Sequence, residues 1–296
     1  MGNVFPGYMG LADISGVGQV RFADASISAK QTVDAPDLVN GDWDHDAYNY
    51  GKIEVGGSIA GPVTETFMSG SGGGAGLWNW GVCRHGACGI LNAEDVTLYY
   101  YCNGGGSEYR SRAFSGMLVN SLGFSCAAGD VAQFTMDIMG SSAAPWGSSN
   151  PPHKTDAEKL LTWDKVGIVI TDGGDGDAPT SSLELAYSNF DFTISNNLNP
   201  VYSLGQKDLF PFEIVPGMRT ITGTLSIYNT PQADGFNTYD LYDAKNPCTI
   251  SFTIGSIVLD MKVRFHRIEP SLNPNVVVSS LGFSGLTHQS GPAWED

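Results

Sequence analysis

Basic residues are scarce in this chain: 15 Lys and Arg stand against 31 Asp and Glu, for a formal net charge of -16. Gripping nucleic acid by neutralising phosphates requires clustered Lys and Arg, so tight DNA binding is set aside. No apolar run approaches the roughly 18 residues that span a bilayer as a helix. Met1 to Leu11 lack the basic region and continuous apolar stretch of a secretory signal, so the expected compartment is the cytoplasm. Cysteine is sparse and odd in number (Cys83, Cys88, Cys102, Cys126, Cys248), which in a chain without a signal reads as free thiols. There is neither a phosphate-cradling Walker loop nor a dinucleotide fingerprint.

Glycine, at 38 residues, is abundant, while charged residues make up only 16%. That balance suits short strands, many turns and surfaces meant for partners. From Thr220 to Tyr228 the apolar Ile221, Leu225 and Ile227 alternate with Thr220, Thr222, Thr224 and Ser226, the period of a strand with one buried face. Ile257, Leu259, Met261, Val263 and Phe265 alternate with charged residues, and Ile250, Phe252 and Ile254 give a preceding strand across a Gly255-Ser256 turn. Ala132, Phe134, Met136 and Ile138 repeat the pattern upstream. Helices are few. The capping-box pattern Thr155-Asp156-Ala157-Glu158 predicts a short helix over 156–164. Phe236, Tyr239 and Tyr242 before Asn246-Pro247 predict another over 236–245. The expected fold is all-β, each module a strand-rich sandwich or partial barrel with one short helix alongside.

The chain repeats itself. Ser121-Leu122-Gly123-Phe124-Ser125 recurs from 121 to 280 as Ser280-Leu281-Gly282-Phe283-Ser284, an offset of 159. Lys52 to Ile59 lies over Thr220 to Ile227 at an offset of 168, and Ala25 to Ser28 over Phe192 to Ser195 at 167. The smaller third offset places about nine extra residues in the first copy, where the glycine-rich stretch from Ser69 to Gly76 sits, and loops absorb such insertions cheaply. Two copies of one β-module follow: residues 1–140, a linker over 141–180 containing Pro145, Pro151, Pro152 and the short helix, and residues 181–296.

The stretch Ile194-Ser195-Asn196-Asn197-Leu198-Asn199-Pro200-Val201-Tyr202, then Glu213 to Arg219 and Thr220 to Leu225, resembles tail tube proteins of long-tailed bacteriophages, as does Pro274 to Leu286. The resemblance implies a structural virion protein whose modules close into rings, stacked into a tube through which DNA leaves. It implies no enzyme activity and no cofactor. The partners implied are further copies of the chain and other tail proteins, with assembly in the host cytoplasm and no membrane. With two modules per chain, a homotrimer would make a pseudo-sixfold ring, its strand edges paired with neighbours. An acidic lumen would let DNA slide without sticking. Candidate lumen residues are Glu54, Ser58, Thr220, Thr222, Thr224 and Ser226, against the plainer reading of a solvated sheet face. The long segments 30–51 and 197–217, with Asp37, Trp43, Tyr202 and Phe210, are candidate arms towards the next ring.

Other chemistry fits less well. Asp172-Gly173-Gly174-Asp175-Gly176-Asp177 fails calcium-loop spacing, since no glutamate closes it at the required interval. Cys83, His85 and Cys88, with Cys102, offer zinc ligand types without a standard pair spacing. Asp44-His45-Asp46 puts neighbours on opposite faces if extended. No metal is assigned. Neither Gly282-Phe283-Ser284-Gly285-Leu286 nor its partner at Gly123 completes a Gly-x-Ser-x-Gly nucleophile elbow. A carbohydrate-binding or carbohydrate-cleaving β-sandwich is the alternative, and it predicts an exposed platform from Trp43, Trp78, Trp80 and Trp146.

Overall fold

The computed structural model describes residues 11–20, 22–34, 49–65, 68, 76–81, 84–85, 90–101, 109–150, 159–171, 182–184, 187–204, 209–228, 247–255, 257–272 and 277–285. Alternating sequences become strands almost throughout. The first half contains β1 (Leu11–Ile14), β2 (Gly18–Val20), β3 (Asp24–Ala25), β4 (Ser28–Asp34), β5 (Asn49–Pro62), β6 (Arg84–His85), β7 (Ile90–Leu91), β8 (Glu94–Tyr101), β9 (Tyr109–Ala127), β10 (Gln133–Gly140) and β11 (Ser142–Ala143). The second half contains β12 (Val166–Thr171), β13 (Ser182–Glu184), β14 (Tyr187–Ser195), β15 (Asn199–Val201), β16 (Glu213–Val215), β17 (Thr220–Tyr228), β18 (Cys248–Ile254), β19 (Ile257–Leu272) and β20 (Val277–Gly285). A short helix, α1 (Gly76–Gly81), follows the glycine-rich stretch, with Leu77 and Trp80 buried.

The two halves share one topology. Strands of the first half run β2-β1-β8-β9-β10-β5-β4, every neighbour antiparallel. Those of the second run β13-β12-β18-β19-β20-β17-β14, again all antiparallel. Thus β12, which falls in the segment expected as a linker, sits beside β13 in the second half's sheet. Both long strands carry a bulge: Asn120 is the extra residue of β9 against β10, and His266 that of β19 against β20. Aligning the bulges matches Gly57 of β5 with Gly223 of β17, and Ile27 beside β4 with Phe192 of β14. Both matches sit two residues from the sequence alignment, a slip that keeps every side chain on its own face.

The pentapeptide is a false repeat. Its copies lie on β9 and β20, which are not equivalent, since β9 corresponds to β19 and β10 to β20. Each copy turns Leu and Phe into the core (Leu122 and Phe124; Leu281 and Phe283), leaving Ser and Gly to the other face, so the identity records a shared in-out pattern.

The expected helix over 156–164 is corrected in its described part. Residues 159–162 are extended: Leu161 donates its N–H to Val63 O at 2.9 Å and accepts from Ala132 N–H at 2.8 Å. Leu160 and Thr162 bridge to Thr64 and Val131. Only a single 3-10 turn, Trp163–Lys165, follows. Tertiary pairing of the open ends of β5 and β10 outweighs the capping propensity, and Leu161 is buried at 1% exposure. Residues 156–158 and the expected helix over 236–245 lie outside the described residues.

One core runs through both halves. At the seam β14 pairs with β9, from Asn189 opposite Ala127 to Ser195 opposite Ser121, while its other edge pairs with β17. Beneath the seam the rings of Phe124 and Phe192 lie 5.5 Å apart, and Phe192 meets Phe252 at 4.8 Å. Truncating so central a ring opens a cavity on both sides of the seam. Phe192→Ala is expected to cost about 3–5 kcal/mol in chemical denaturation. A loss below about 1 kcal/mol would show that the halves do not depend on this packing.

Candidate functional site: a continuous polar sheet face

The side of the joined sheet opposite the core is built from hydroxyls and spaced charges. One row crosses five strands, Ser58 opposite Asp137, Asp137 opposite Ser121, Ser121 opposite Ser195, and Ser195 opposite Thr220. The next runs from Thr135 through Gly123, Thr193 and Thr222 to Ser284 and Arg264. All six residues expected to line a lumen therefore share one face. Glu54, Thr220, Thr222 and Thr224 are exposed on it, Ser58 and Ser226 half-buried. Their inward neighbours Val55, Ile59, Ile221, Leu225 and Ile227 are buried, as two-residue periodicity requires.

Charges on this face are largely matched. Lys52 Nζ lies 2.6 Å from Glu54 Oε1, and that carboxylate holds the lysine above its ordinary pKa. Arg267 and Glu269 make an ion pair, also at 2.6 Å. Ser121 donates to Asp137 at 2.7 Å, and Thr224 donates to Asp191. The expected surplus of negative charge is thus not concentrated on the described part of this face. What the face offers at these positions is neutral hydroxyls and cations already held by carboxylates.

At one rim of the sheet an arm leaves β14 and returns at β17, fastened by a knot of amides around the β9 bulge. Asn196 is fully buried; its Nδ2 donates to Gly81 O at 3.0 Å and Val119 O at 2.9 Å, and its Oδ1 accepts from Arg219 Nε at 3.0 Å. Its own N–H reaches Asn120 O at 2.7 Å, while Asn120 Oδ1 accepts from Leu198 N–H at 2.9 Å. Asn197 takes the left-handed conformation (φ 51°), as asparagine tolerates. The Asn-Asn pair is prominent in the sequence, but its role as a clamp between halves is visible only once the bulge places Asn120 beside it.

The arm then crosses to the first half. The Tyr202 hydroxyl donates to Ile53 O at 3.2 Å, Ile53 N–H donates to Leu209 O at 2.7 Å, and Lys52 Nζ sits 5.3 Å from the Tyr202 ring centroid. Burial pushes the Tyr202 phenol above its ordinary pKa. Phe210 packs half-buried against the core. Between arm and sheet lies a cleft of about 460 Å³ lined by Ser28, Lys30, Glu54, Asp137, Pro200 and Tyr202. Outward, the arm exposes Val201, Leu204, Leu209, Phe212, Val215 and Met218. Asp37 and Trp43 lie outside the described residues.

Other candidate chemistry falls largely outside the described residues. Asp172 to Asp177, Asp44 to Asp46, Cys83, Cys88 and Cys102 lie outside the described residues, and His85 is placed only as backbone of β6. Among the described residues no group of three His, Cys, Asp or Glu side chains could hold a metal ion. Ser284 sits within β20 rather than at a strand-to-helix turn. Trp80 is buried, donating Nε1–H to Met117 O at 2.9 Å, which removes it from any sugar platform. Trp146 is half-exposed, edge-on to Tyr100 and stacked under Arg112. Trp43 and the Trp78 side chain lie outside the description.

A duplicated antiparallel sheet with one apolar and one polar face, and a rim arm studded with exposed apolar side chains, has the build of an assembly unit. A model of the family described as phage tail tube protein matches residues 7–285. The chain belongs to the phage tail tube protein family. No curated protein matches it. A tail tube protein is a structural component of the virion tail that assembles with copies of itself and with other tail proteins, and the family is one of structure rather than catalysis. For this tail tube protein, Asn196 is the residue on which arm placement turns. Asn196→Ala leaves two buried carbonyls unpaired, at an expected cost of about 1–3 kcal/mol. Limited proteolysis is expected to cut the variant within 197–218 faster than the parent chain, and equal cutting would show that the clamp does not hold the arm.

Proposed function

We propose that three copies of this chain close a pseudo-sixfold ring, and that rings stack into the tube through which DNA is ejected. The observation that carries the reading is the seam: two topologically equivalent halves already join, through β14 and β9, into one sheet with a single polar face. A ring that continues this sheet turns that face to one side all round. On this reading Glu54, Ser58, Thr220, Thr222, Thr224 and Ser226 line the lumen, presenting hydroxyls and matched charges to passing phosphates. The repeating module is the seven-strand set, so β12 belongs with the second module rather than with a linker. The virion tail is the final location, and assembly takes place in the host cytoplasm.

The arm is the proposed contact between rings. It emerges where β14 ends and β17 begins, at the rim of the sheet, and its exposed Leu204 (108%), Phe212 (64%) and Met218 (72%) are too apolar to face water throughout the life of the protein. Tyr202 and Phe210 serve as its roots on the first half and the outer residues as its contacts.

Negative-stain microscopy of the purified protein across a concentration series is expected to show rings with a central hole, stacking into tubes as concentration rises. A protein that remains monomeric at every concentration, and also when added to preformed tail tips, would overturn the reading. Replacing Leu204 and Phe212 by Ser is expected to leave thermal stability unchanged, since neither side chain is buried, and to leave rings that no longer stack. Tubes of undiminished length would remove the arm from the ring-to-ring contact.

A further inference from the structure

The seam inside the chain specifies a second seam between chains, down to its register. β14 occupies the edge of β9 that β8 leaves open beyond Met117. The equivalent edge on β19 lies beyond Val263, where β18 stops, and among the described residues no strand pairs with it. The equivalent of β14 is β4, whose outer edge is likewise unpaired among the described residues. One chain therefore ends in two complementary halves of a junction it has already made once internally. Bound head to tail, these edges repeat a heterologous contact, the kind that closes a ring.

We infer that β4 of one chain pairs antiparallel with the distal half of β19 of a second copy of this chain, with Ser28 opposite Glu269. The inference rests on the ring reading above and specifies its interface. The register follows from the ladders. Aligning the bulges at Asn120 and His266 makes Gly123 equivalent to Glu269 and Gly56 to Thr222. Thr193 pairs with Thr222 and Ser28 with Gly56, so Thr193 and Ser28 are equivalent. Thr193 lies opposite Gly123 in the internal seam, which places Ser28 opposite Glu269 in the external one. Ser26 then meets Ser271, and Lys30 meets Arg267.

The chemistry of the two edges agrees with this placement. On the polar face Ser26, Ser28 and Lys30 continue the rows of hydroxyls and charges, with Lys30 opposite Glu54 in its own sheet and Arg267 already paired to Glu269. Ala25, Ile27 and Ala29 alternate with them on the core side and fall in register with positions 268, 270 and 272. Pro270 has no N–H, and Lys30 faces Arg267, so the external ladder is weaker than the internal one. Proline and lysine are also the residues that keep an exposed edge from pairing indiscriminately. The edge is thus guarded in the monomer and satisfied in the ring.

Directly opposed residues of an antiparallel pair have Cα atoms about 4.5–5.5 Å apart, within the span of a disulfide. The test is the full-length double variant Ser28→Cys with Glu269→Cys, oxidised after assembly and run without reductant beside the unmodified chain. Covalently linked multimers ending at one closed size are expected. Either single variant is expected to give none beyond the background of the native cysteines. The out-of-register pair Ser28→Cys with Arg267→Cys is expected to link roughly tenfold more slowly. Rings seen by microscopy without in-register links would overturn the pairing and leave the tail tube reading intact. Dimers from Ser28→Cys alone would also overturn it, since they require β4 to meet β4. Absence of both rings and links, with the far-ultraviolet dichroism of the folded chain retained, would overturn the pairing and the ring reading together.

Discussion

Everything in this structure depends on the ladder between β9 and β14. β9, with 19 residues, is too long for one sheet: its first part pairs with β8, its second with β10, and the edge vacated by β8 is taken by β14. The bulge at Asn120 sits where the strand changes partners, as bulges do where a sheet must turn. Without β14, that edge would expose a row of unpaired backbone groups along buried Leu122 and Phe124. With it, the two hydrophobic layers merge, and Phe192 belongs at once to the ring cluster of the second half and to the core of the first. The buried amide of Asn196 and the half-buried amide of Asn120 lock the same junction at its rim. A buried polar group is tolerated only when satisfied, and here each bond it makes joins elements far apart in sequence.

The polar face follows from this junction rather than from any one module. Strand alternation alone gives each half a wet side and a dry side. Only the register between β9 and β14 makes the wet sides coplanar, so that Ser58 in the first half and Thr220 in the second fall on one row. A slip of β14 by one residue against β9 would send Thr193 inward and Ile194 out while Ser121 and Leu122 kept their faces, so the burial of the core fixes the continuity of the face. The matched charges on it, Lys52 with Glu54 and Arg267 with Glu269, are worth little as stability because they are solvated. Their effect is on what the surface attracts: at these two pairs neither phosphates nor cations meet an isolated opposite charge.

Strand identity was legible in the sequence wherever one face is buried and the other wet. The alternation in β10, β17 and β19 predicted both the strands and the inward residues, because the period of two is imposed by the backbone itself. The all-β class and the family resemblance followed from the same segments. The order of strands was harder. The pentapeptide on β9 and β20 seemed to anchor the repeat, yet identical in-out patterning arises on any two half-buried strands, and only the bulges at Asn120 and His266 mark true equivalence. The capping box before residue 160 misled for the opposite reason: a local preference worth about 1 kcal/mol gave way to the open backbone edges of β5 and β10, which residues 159–162 satisfy. The arm was recognisable as an overlong connection, but its attachment to β5 through Tyr202 and Leu209 depends on contacts some 150 residues apart that no local pattern encodes.

Duplication within one chain changes the assembly problem. In a ring of identical single modules every junction must form between separate molecules, so all must be equally strong or equally weak. Joining two modules covalently makes every second junction intramolecular, formed at an effective concentration that free subunits do not reach. The internal seam can then be made as apolar as a core, with Phe124, Phe190 and Phe192 beneath it, because it never has to stay open. On the proposed ring reading the external edges are under the opposite demand: they must remain soluble until another chain arrives. Small residues at Ala25 and Ala29, a lysine at position 30 and a proline at 270 are what that demand selects. On that reading, the divergence between two halves of otherwise identical topology follows from which of their edges meets its partner during folding and which waits for another chain.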